Sequence, residues 1–265
     1  MPDAGPAPPA VDTLTLLNHP RLMRKLEQVL NRAAAAGVQQ MVVVGYDLRS
    51  SEEAVKLAER HPGLWAAVGV HPHDASGVSA DTVAQLCALA ASERVMAIGE
   101  TGLDFYRDLS PREAQESSFR RHLDLAAEVR LPVVLHCREA QERLLAVLKG
   151  YESAGLTLVW HSFDGTAAHI QEALALGAFL GFNGMLTYPR NQHLRDAAAA
   201  APLDALLLET DCPYLAPEPR RSSDNEPANL LIVARAIGEA RGISTEDVVR
   251  ATTENARRAF ALPTM

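Results

Sequence analysis

Cysteine is scarce and odd in number. Cys87, Cys137 and Cys212 are the only three, and none forms a Cys-x-x-Cys pair. That excludes a disulfide framework and a zinc ribbon and suits the reduced thiols of a cytoplasmic protein. Aromatic residues make up 5% of the chain, too few for an interleaved stacking surface of the kind that coats nucleic acid. Positive charge is also short: 25 Lys and Arg face 33 Asp and Glu, a net charge of −8. This argues against binding nucleic acid through a basic surface, while leaving room for an enzyme that grips a strand end with a metal and a few Arg. No apolar run is long enough to span a bilayer. The Pro-rich start, Met1 to Ala10, has neither a basic n-region nor an apolar h-region; it reads as a flexible leader rather than a signal peptide or membrane anchor. Gly-x-Ser-x-Gly, the phosphate-binding Gly-Lys-Ser/Thr loop and Gly-x-Gly-x-x-Gly are all missing, which removes three common enzyme classes.

What the chain does have is a repeated junction between apolar strands and polar chemistry. Four short apolar runs end on a metal-binding or acid/base residue: Arg94 to Glu100, Pro132 to His136, Leu156 to His161 and Ala205 to Asp211. Short, fully apolar runs are those of strands buried on both faces, as in parallel sheets. Helical periodicity with caps lies between them. Arg21–Ala36 closes on Gly37, Ser110-Pro-Arg-Glu113 has the form of a capping box opening a helix to Val129, and Thr166–Leu176 ends at Gly177. Eight strands are expected, near 11–17, 40–45, 64–70, 95–100, 133–136, 158–161, 178–182 and 205–209, alternating with helices within 265 residues. That pattern predicts a single (β/α)8 TIM barrel over residues 11–265. An open doubly wound sheet would gather its ligands at one switch point, whereas here they follow five different strands.

In such a barrel the strand C-termini share one rim. Glu100, His136, His161 and Asp211 then form a donor set for a divalent ion. A single His at a strand end is more often structural, but four donors at equivalent positions outweigh that. Glu209 shares the face of Asp211 and is expected to support it. His71 and His73, in the segment after strand three, are candidates for phosphate contact, metal ligation or proton transfer. Asp104 and Arg138 are placed at the same rim as contacts to substrate or supports behind the ligands, Arg138 because a guanidinium binds phosphate oxygens in pairs. Arg220 and Arg221, in the Pro- and Ser-rich loop after strand eight, are further candidates for phosphates. Cys137 and Cys212 each follow a candidate ligand, and alternation turns both outward under the helices.

Six segments, in order along the chain, resemble those of the TatD-like metal-dependent deoxyribonucleases, a family of amidohydrolase-type barrels. They are Gly-Val-His-Pro-His-Asp (69–74), Ile-Gly-Glu-Thr-Gly-Leu-Asp-Phe (98–105), Leu-His-Cys-Arg-Glu (135–139), His-Ser-Phe-Asp-Gly (161–165), Glu-Thr-Asp-Cys-Pro-Tyr-Leu-Ala-Pro (209–217) and Asn-Glu-Pro-Ala-Asn-Leu (225–230). The resemblance implies a TIM barrel, one or two divalent ions, and 3′→5′ exonuclease action on single-stranded DNA or 3′ ends, with RNA as a second polymer. Glu100, His136, His161 and Asp211 match family metal ligands, and His71 matches a histidine near the scissile phosphate. Asp211, Glu100 and His71 are therefore the expected catalytic groups. Mg²⁺ is the first expectation, with Mn²⁺ or Zn²⁺ as alternatives. Many members carry Asp-x-His-x-His in strand one, where this chain reads Asp12-Thr-Leu-Thr-Leu16. It resembles the subgroup that lacks the histidine pair, so one metal position is expected to be firm and the second is in question. Two other readings stay open: an amide, ester or lactone hydrolase on the same barrel, and a degenerate barrel that binds nucleic acid without turnover. A cytoplasmic monomer with no membrane partner is expected.

Overall fold

The computed structural model describes residues 9–264. Most of the proposed leader, residues 1–8, lies outside the described residues, and the first strand begins at Ala10, inside the expected leader boundary. The first half runs β1 (Ala10–Thr15), α1 (Pro20–Met23), α2 (Leu26–Ala35), β2 (Val38–Val44), α3 (Leu48–Arg60), β3 (Leu64–Val68), α4 (Ala80–Ala90) and β4 (Val95–Asp104). The second half runs α5 (Arg112–Val129), β5 (Val133–Arg138), α6 (Gln141–Lys149), β6 (Leu158–Trp160), α7 (Ala167–Ala175), β7 (Ala178–Phe182), α8 (Gln192–Ala200), β8 (Leu206–Leu208), α9 (Leu230–Arg241) and α10 (Thr245–Phe260). Every adjacent strand pair is parallel, in the order β1 through β8. The expected (β/α)8 barrel is therefore the fold.

The period of two sorts the strand side chains into two cores. Val42, Val44, Ala67, Ala97, Val134, Val159 and Leu207 fill the barrel interior. Their neighbours Met41, Val43, Ala66, Val68, Ile98, Val133, Leu135, Leu158, Trp160, Leu206 and Leu208 face the surrounding helices, together with Cys137 and Cys212. The end of α10 joins the interior cluster through Ala256, Ala259 and Phe260. It is tied there by Thr253, whose hydroxyl donates to the Pro9 carbonyl, and by Gln40, which donates to the Pro263 carbonyl. The N-terminal mouth of the barrel is thus covered, which leaves the opposite mouth for chemistry.

Ring closure between β8 and β1 rests on few backbone bonds. The segment beyond β8 makes an isolated parallel bridge between Thr15 and Cys212. Leu16 N–H donates to the Cys212 carbonyl at 2.9 Å and Asp211 N–H to the Leu14 carbonyl at 3.0 Å. Side chains reinforce the seam: Thr13 donates to the Leu208 carbonyl, and buried Asp12 accepts from both the amide and the hydroxyl of Thr210.

Several local expectations shift. The predicted first helix is two pieces, α1 and α2. The sequence places a helix over 51–61 with acidic residues in its first turn; Asp47 instead caps α3, which begins three residues earlier at Leu48, so those residues fall outside the first turn. Ser110 forms no capping box: its hydroxyl donates to the His73 carbonyl and accepts from the Ser76 amide. The competing tie to the loop after β3 takes the side chain away from its own helix.

Candidate metal centre

Alternation carries interior positions past the strand ends. From Val134 it leads to His136, from Val159 to His161, and from Leu207 to Glu209 and then Asp211. Glu100 needs a different device, because Ile98 faces outward and strict alternation would turn Glu100 outward as well. Between Ile98, which pairs with Val133, and Thr101, which pairs with Leu135, β4 has one residue more than β5. This bulge reverses the phase locally, and Glu100 N–H donates to the Gly45 carbonyl. Gly102, at φ +146°, makes the return possible, since a Cβ there would overlap the His136 carbonyl.

The loop after β3 brings His71 and His73 to the same place. Its Pro72–Gly77 segment is a 3₁₀ turn capped by His71, whose Nδ1 accepts the His73 amide at 3.1 Å. Behind it, the Val70 amide donates to Nε2 of His122, a buried residue of α5 whose Nδ1 donates to the Ser118 carbonyl. Gln115, also on α5, accepts the Asp104 amide and donates to the Asp104 and Ser110 carbonyls. Neither group was among the expected site residues. Their signal was present in the sequence as Gln115, Ser118 and His122, polar residues spaced three and four apart on the apolar face of a helix.

The donors converge as follows. His136 Nδ1 is 2.7 Å from Glu100 Oε1, and its Nε2 is 3.2 Å from Asp104 Oδ2. His73 Nε2 is 2.9 Å from the same Asp104 oxygen. His71 Nε2 lies 3.1 Å from His136 Nδ1 and 3.7 Å from Glu100 Oε1. His161 Nε2 is 3.8 Å from Glu100 Oε1, and its Nδ1 is 3.0 Å from Glu209 Oε1. That last pair is close enough for charge attraction but misaligned for a hydrogen bond, leaving buried Nδ1 without a hydrogen-bond partner. Glu209 Oε1 instead accepts from the Ser162 amide and from Asn183. Gly181 leaves the space that the Glu209 carboxylate occupies.

The tightest donor group is His71, Glu100 and His136, whose ligand atoms lie within 4.8 Å of one another. His71, for which phosphate contact, metal ligation and proton transfer were all open, is thus inside the cluster, while His161 and Asp211 stand at its margin. Leu14 is fully buried and Leu16 lines the cavity above, so hydrocarbon occupies the side where the histidine pair of other barrels would enter. Asp104 and Arg138 stand where the rim reading put them. Arg220 and Arg221 do not line the cavity; Arg221 lies 4.1 Å from the Tyr188 ring centre and 3.8 Å from Glu218.

Burial and charge oppose each other throughout this group. Burial raises the Glu100 carboxyl, but His161, His136 and His71 together hold it well below the usual range. Burial lowers His161, yet Glu209 and Glu100 lift it to about 10. Burial likewise lowers His136, and its bonds to Asp104 and Glu100 more than reverse this. His71 has burial and the neighbouring His136 acting together and falls to about 3. Asp211 rises to about 7, chiefly through burial, with Glu100 and Glu209 adding to the effect.

The proton positions in this donor set suit a cation. A hydrogen bond from His136 to ionised Glu100 requires N–H at Nδ1. His71 accepts at Nδ1, so as a neutral imidazole it carries its proton on Nε2. Two N–H groups would then face each other across 3.1 Å. A cation in place of the His136 Nδ1 proton would meet lone pairs from both Glu100 and His136. Asp104 retains the other His136 proton, a common arrangement for ligating histidines. His71 keeps a free N–H donor.

The cluster lies beneath a cavity of about 930 Å³ lined by Tyr46, His73, Asp104, Arg138, Asp211 and Tyr214 among others. Among the described residues, no helix is long and apolar enough to cross a membrane.

The profile of the family described as TatD related DNase matches residues 11–261. A protein of Erwinia tasmaniensis named 3′-5′ ssDNA/RNA exonuclease TatD is 42% identical over 242 residues, 89% of this chain and 93% of that one. A Bacillus subtilis protein named as an uncharacterized metal-dependent hydrolase, YabD, is 37% identical over 251 residues, 95% of this chain and 98% of its own. The crystal structure of YJJV, a TatD homolog from Escherichia coli K12, superposes with a TM-score of 0.91 at 31% identity, covering 96% of this chain and 98% of that one. A barrel with this rim, matched over almost its whole length, belongs to the TatD related DNase family.

Proposed function

We propose that the protein is a divalent-metal-dependent nuclease that removes nucleotides from the 3′ end of single-stranded DNA, with RNA as a second polymer. The observation that carries this reading is Glu100 under an open cavity, with His136 Nδ1 2.7 Å and His161 Nε2 3.8 Å from its Oε1. Glu100, His136 and His161 would hold one ion, with Asp211 beside it. Mg²⁺ is the expected ion, and Mn²⁺ or Zn²⁺ would fit the same donors. When bound, a divalent ion supplies Lewis acidity toward a phosphate oxygen and makes water more acidic. Leu14 and Leu16 favour about one ion per chain, since carboxylate and imidazole donors are what such ions need.

The chain's own groups account for the remaining work. Asp211, at the margin of the cluster, is placed to take the proton of the attacking water near neutral pH. The water oxygen bonds to phosphorus, the P–O3′ bond breaks, and the O3′ left on the shortened strand takes up the proton held by Asp211, releasing a nucleoside 5′-monophosphate. His71, neutral at that pH, donates its Nε2 proton in a hydrogen bond to a phosphate oxygen, and Arg138 at the cavity wall adds a charged donor. Every group named comes from one chain, so a monomer suffices. Three unpaired cysteines, two of them buried, suit a cytoplasmic setting.

Purified Glu100→Ala and His161→Ala variants should lose hydrolysis. The panel is single-stranded DNA, RNA, a dipeptide and a lactone, each with Mg²⁺, Mn²⁺ and Zn²⁺. Near-normal nuclease activity in either variant would sink the mechanism. Turnover of the dipeptide or lactone alone would transfer the site to the amide and ester hydrolases.

A further inference from the structure

The chain has five tyrosines, and four of them stand on the rim. Tyr46 follows β2, Tyr106 follows β4, Tyr188 follows β7 and Tyr214 lies in the turn after β8. Both tryptophans, by contrast, are buried. Among the described residues the large hydrophobic side chains that remain exposed are Tyr106 at 54%, Leu109 at 66% and Tyr214 at 45%. All three belong to this one face, and the fold leaves much of these two rings in solvent. An exposed apolar group gathered at a functional mouth, rather than scattered, marks a contact surface.

We propose that Tyr214 and Tyr106 are base-stacking platforms on opposite sides of the mouth, which take unpaired bases flanking the phosphodiester at the metal centre. This rests on the nuclease reading above. The two follow β8 and β4, which are four strands apart in a ring of eight, so a strand crossing the mouth meets one on each side of the cluster. Each ring has a guanidinium beside it: Arg138 lies 3.9 Å from the Tyr106 centroid and Arg21 4.8 Å from that of Tyr214. Arg21 is paired with Asp224, whereas Arg138 has no ion-pair partner among the described residues and lines the cavity. A guanidinium stacked on an aromatic face keeps its N–H edge available for phosphate.

Tyr214 is also fixed in direction. Its amide donates to the Asp211 carbonyl at 2.9 Å, and its ring meets His19 edge-on at 5.7 Å between centroids. The platform is therefore attached to the same turn as the carboxylate. Charge complements this arrangement. A chain of net charge −8 draws little affinity from a nucleic-acid backbone, and stacking supplies affinity that tolerates any base while requiring that the base be unpaired. The platforms thus select single strands over duplex.

The test compares wild type, Tyr214→Ala, Tyr106→Ala and the two Tyr→Phe variants. Two 5′-labelled strands are used: oligothymidylate, and the same length with abasic residues at its 3′ end. Thermal melting first establishes that each variant is folded. Each alanine variant should raise KM for oligothymidylate about 5- to 100-fold with little change in kcat. The phenylalanine variants should retain wild-type KM, and on the abasic-ended strand all proteins should behave alike. Unchanged KM on oligothymidylate, or an equal loss on both strands, overturns the proposal. Fluorescence anisotropy of the same strands in EDTA separates this idea from the nuclease reading. If no ion supports cleavage by wild type, the nuclease reading falls. Tighter binding of oligothymidylate by wild type than by the alanine variants would still support stacking, and equal or absent binding would overturn it.

Discussion

His122 makes the stability of the barrel depend on pH through a group that takes no part in the metal cluster. Its ring is fully buried in α5, with Nε2 accepting the Val70 amide at 3.0 Å and Nδ1 donating to the Ser118 carbonyl at 2.8 Å. Burial lowers its pKa from the ordinary 6.5 to about 4. As pH falls through 6.5 the unfolded chain takes up a proton that the folded chain refuses until about 4, so acidification over this window favours unfolding. Protonation would also abolish the lone pair that holds Val70, the residue immediately before His71. The shift corresponds to roughly 3 kcal/mol in full, and about 2 kcal/mol of it should be lost between about pH 7 and pH 5.

The measurement is urea unfolding of wild type and His122→Gln at pH 7, 6 and 5, with EDTA present so that ion binding does not contribute. The variant is less stable at neutral pH because its amide matches the two backbone partners less well. It lacks the titrating ring, so the gap between the proteins should narrow by about 2 kcal/mol on acidification. Other acid-sensitive groups are common to both proteins and cancel in the difference. Parallel stability curves across that range would refute the assignment of a buried neutral imidazole.

Two other substitutions probe the centre itself. Glu209→Gln removes the charge 3.0 Å from His161 Nδ1 and should weaken Mn²⁺ binding about 10- to 100-fold by calorimetry; an unchanged affinity would remove Glu209 from the support of the site. Gly102→Ala sets a Cβ against the His136 carbonyl at φ +146° and should cost about 3 kcal/mol or more in chemical denaturation. A loss within ~0.5 kcal/mol, the range of neutral surface changes, would show that the bulge relaxes without strain.

Strand and helix periodicity made the barrel legible, because buried parallel strands and amphipathic helices have different periods and both were strong here. The same rule carried the interior phase from Val134 to His136 and from Val159 to His161. It could not have placed Glu100, whose inward direction depends on an extra residue between Ile98 and Thr101 opposite β5. Local capping rules failed at Ser110, where a partner 37 positions earlier in the chain outcompeted the helix. The tight placement of His71 was equally hidden. It depends on His122 and Tyr46, which hold the loop through the Val70 and His71 amides, and no spacing rule links those positions. The low aromatic content excluded a continuous stacking surface, but it carried no information about where the few tyrosines would be concentrated.

The seam between β1 and the segment after β8 has a consequence for the order in which the site is assembled during synthesis. Glu100, His136 and His161 are all made before Asp211, and the Asp211 backbone is held by the Leu14 carbonyl. The carboxylate expected to accept the proton is thus seated only when the last strand segment returns to the first, with Asp12 gripping Thr210 beside it. A nascent chain that has emerged only through α8 would contain most of the ion's ligands but neither Asp211 nor the Tyr214 turn. With Asp211 as the proton acceptor proposed above, hydrolytic competence would arrive only when the ring closes.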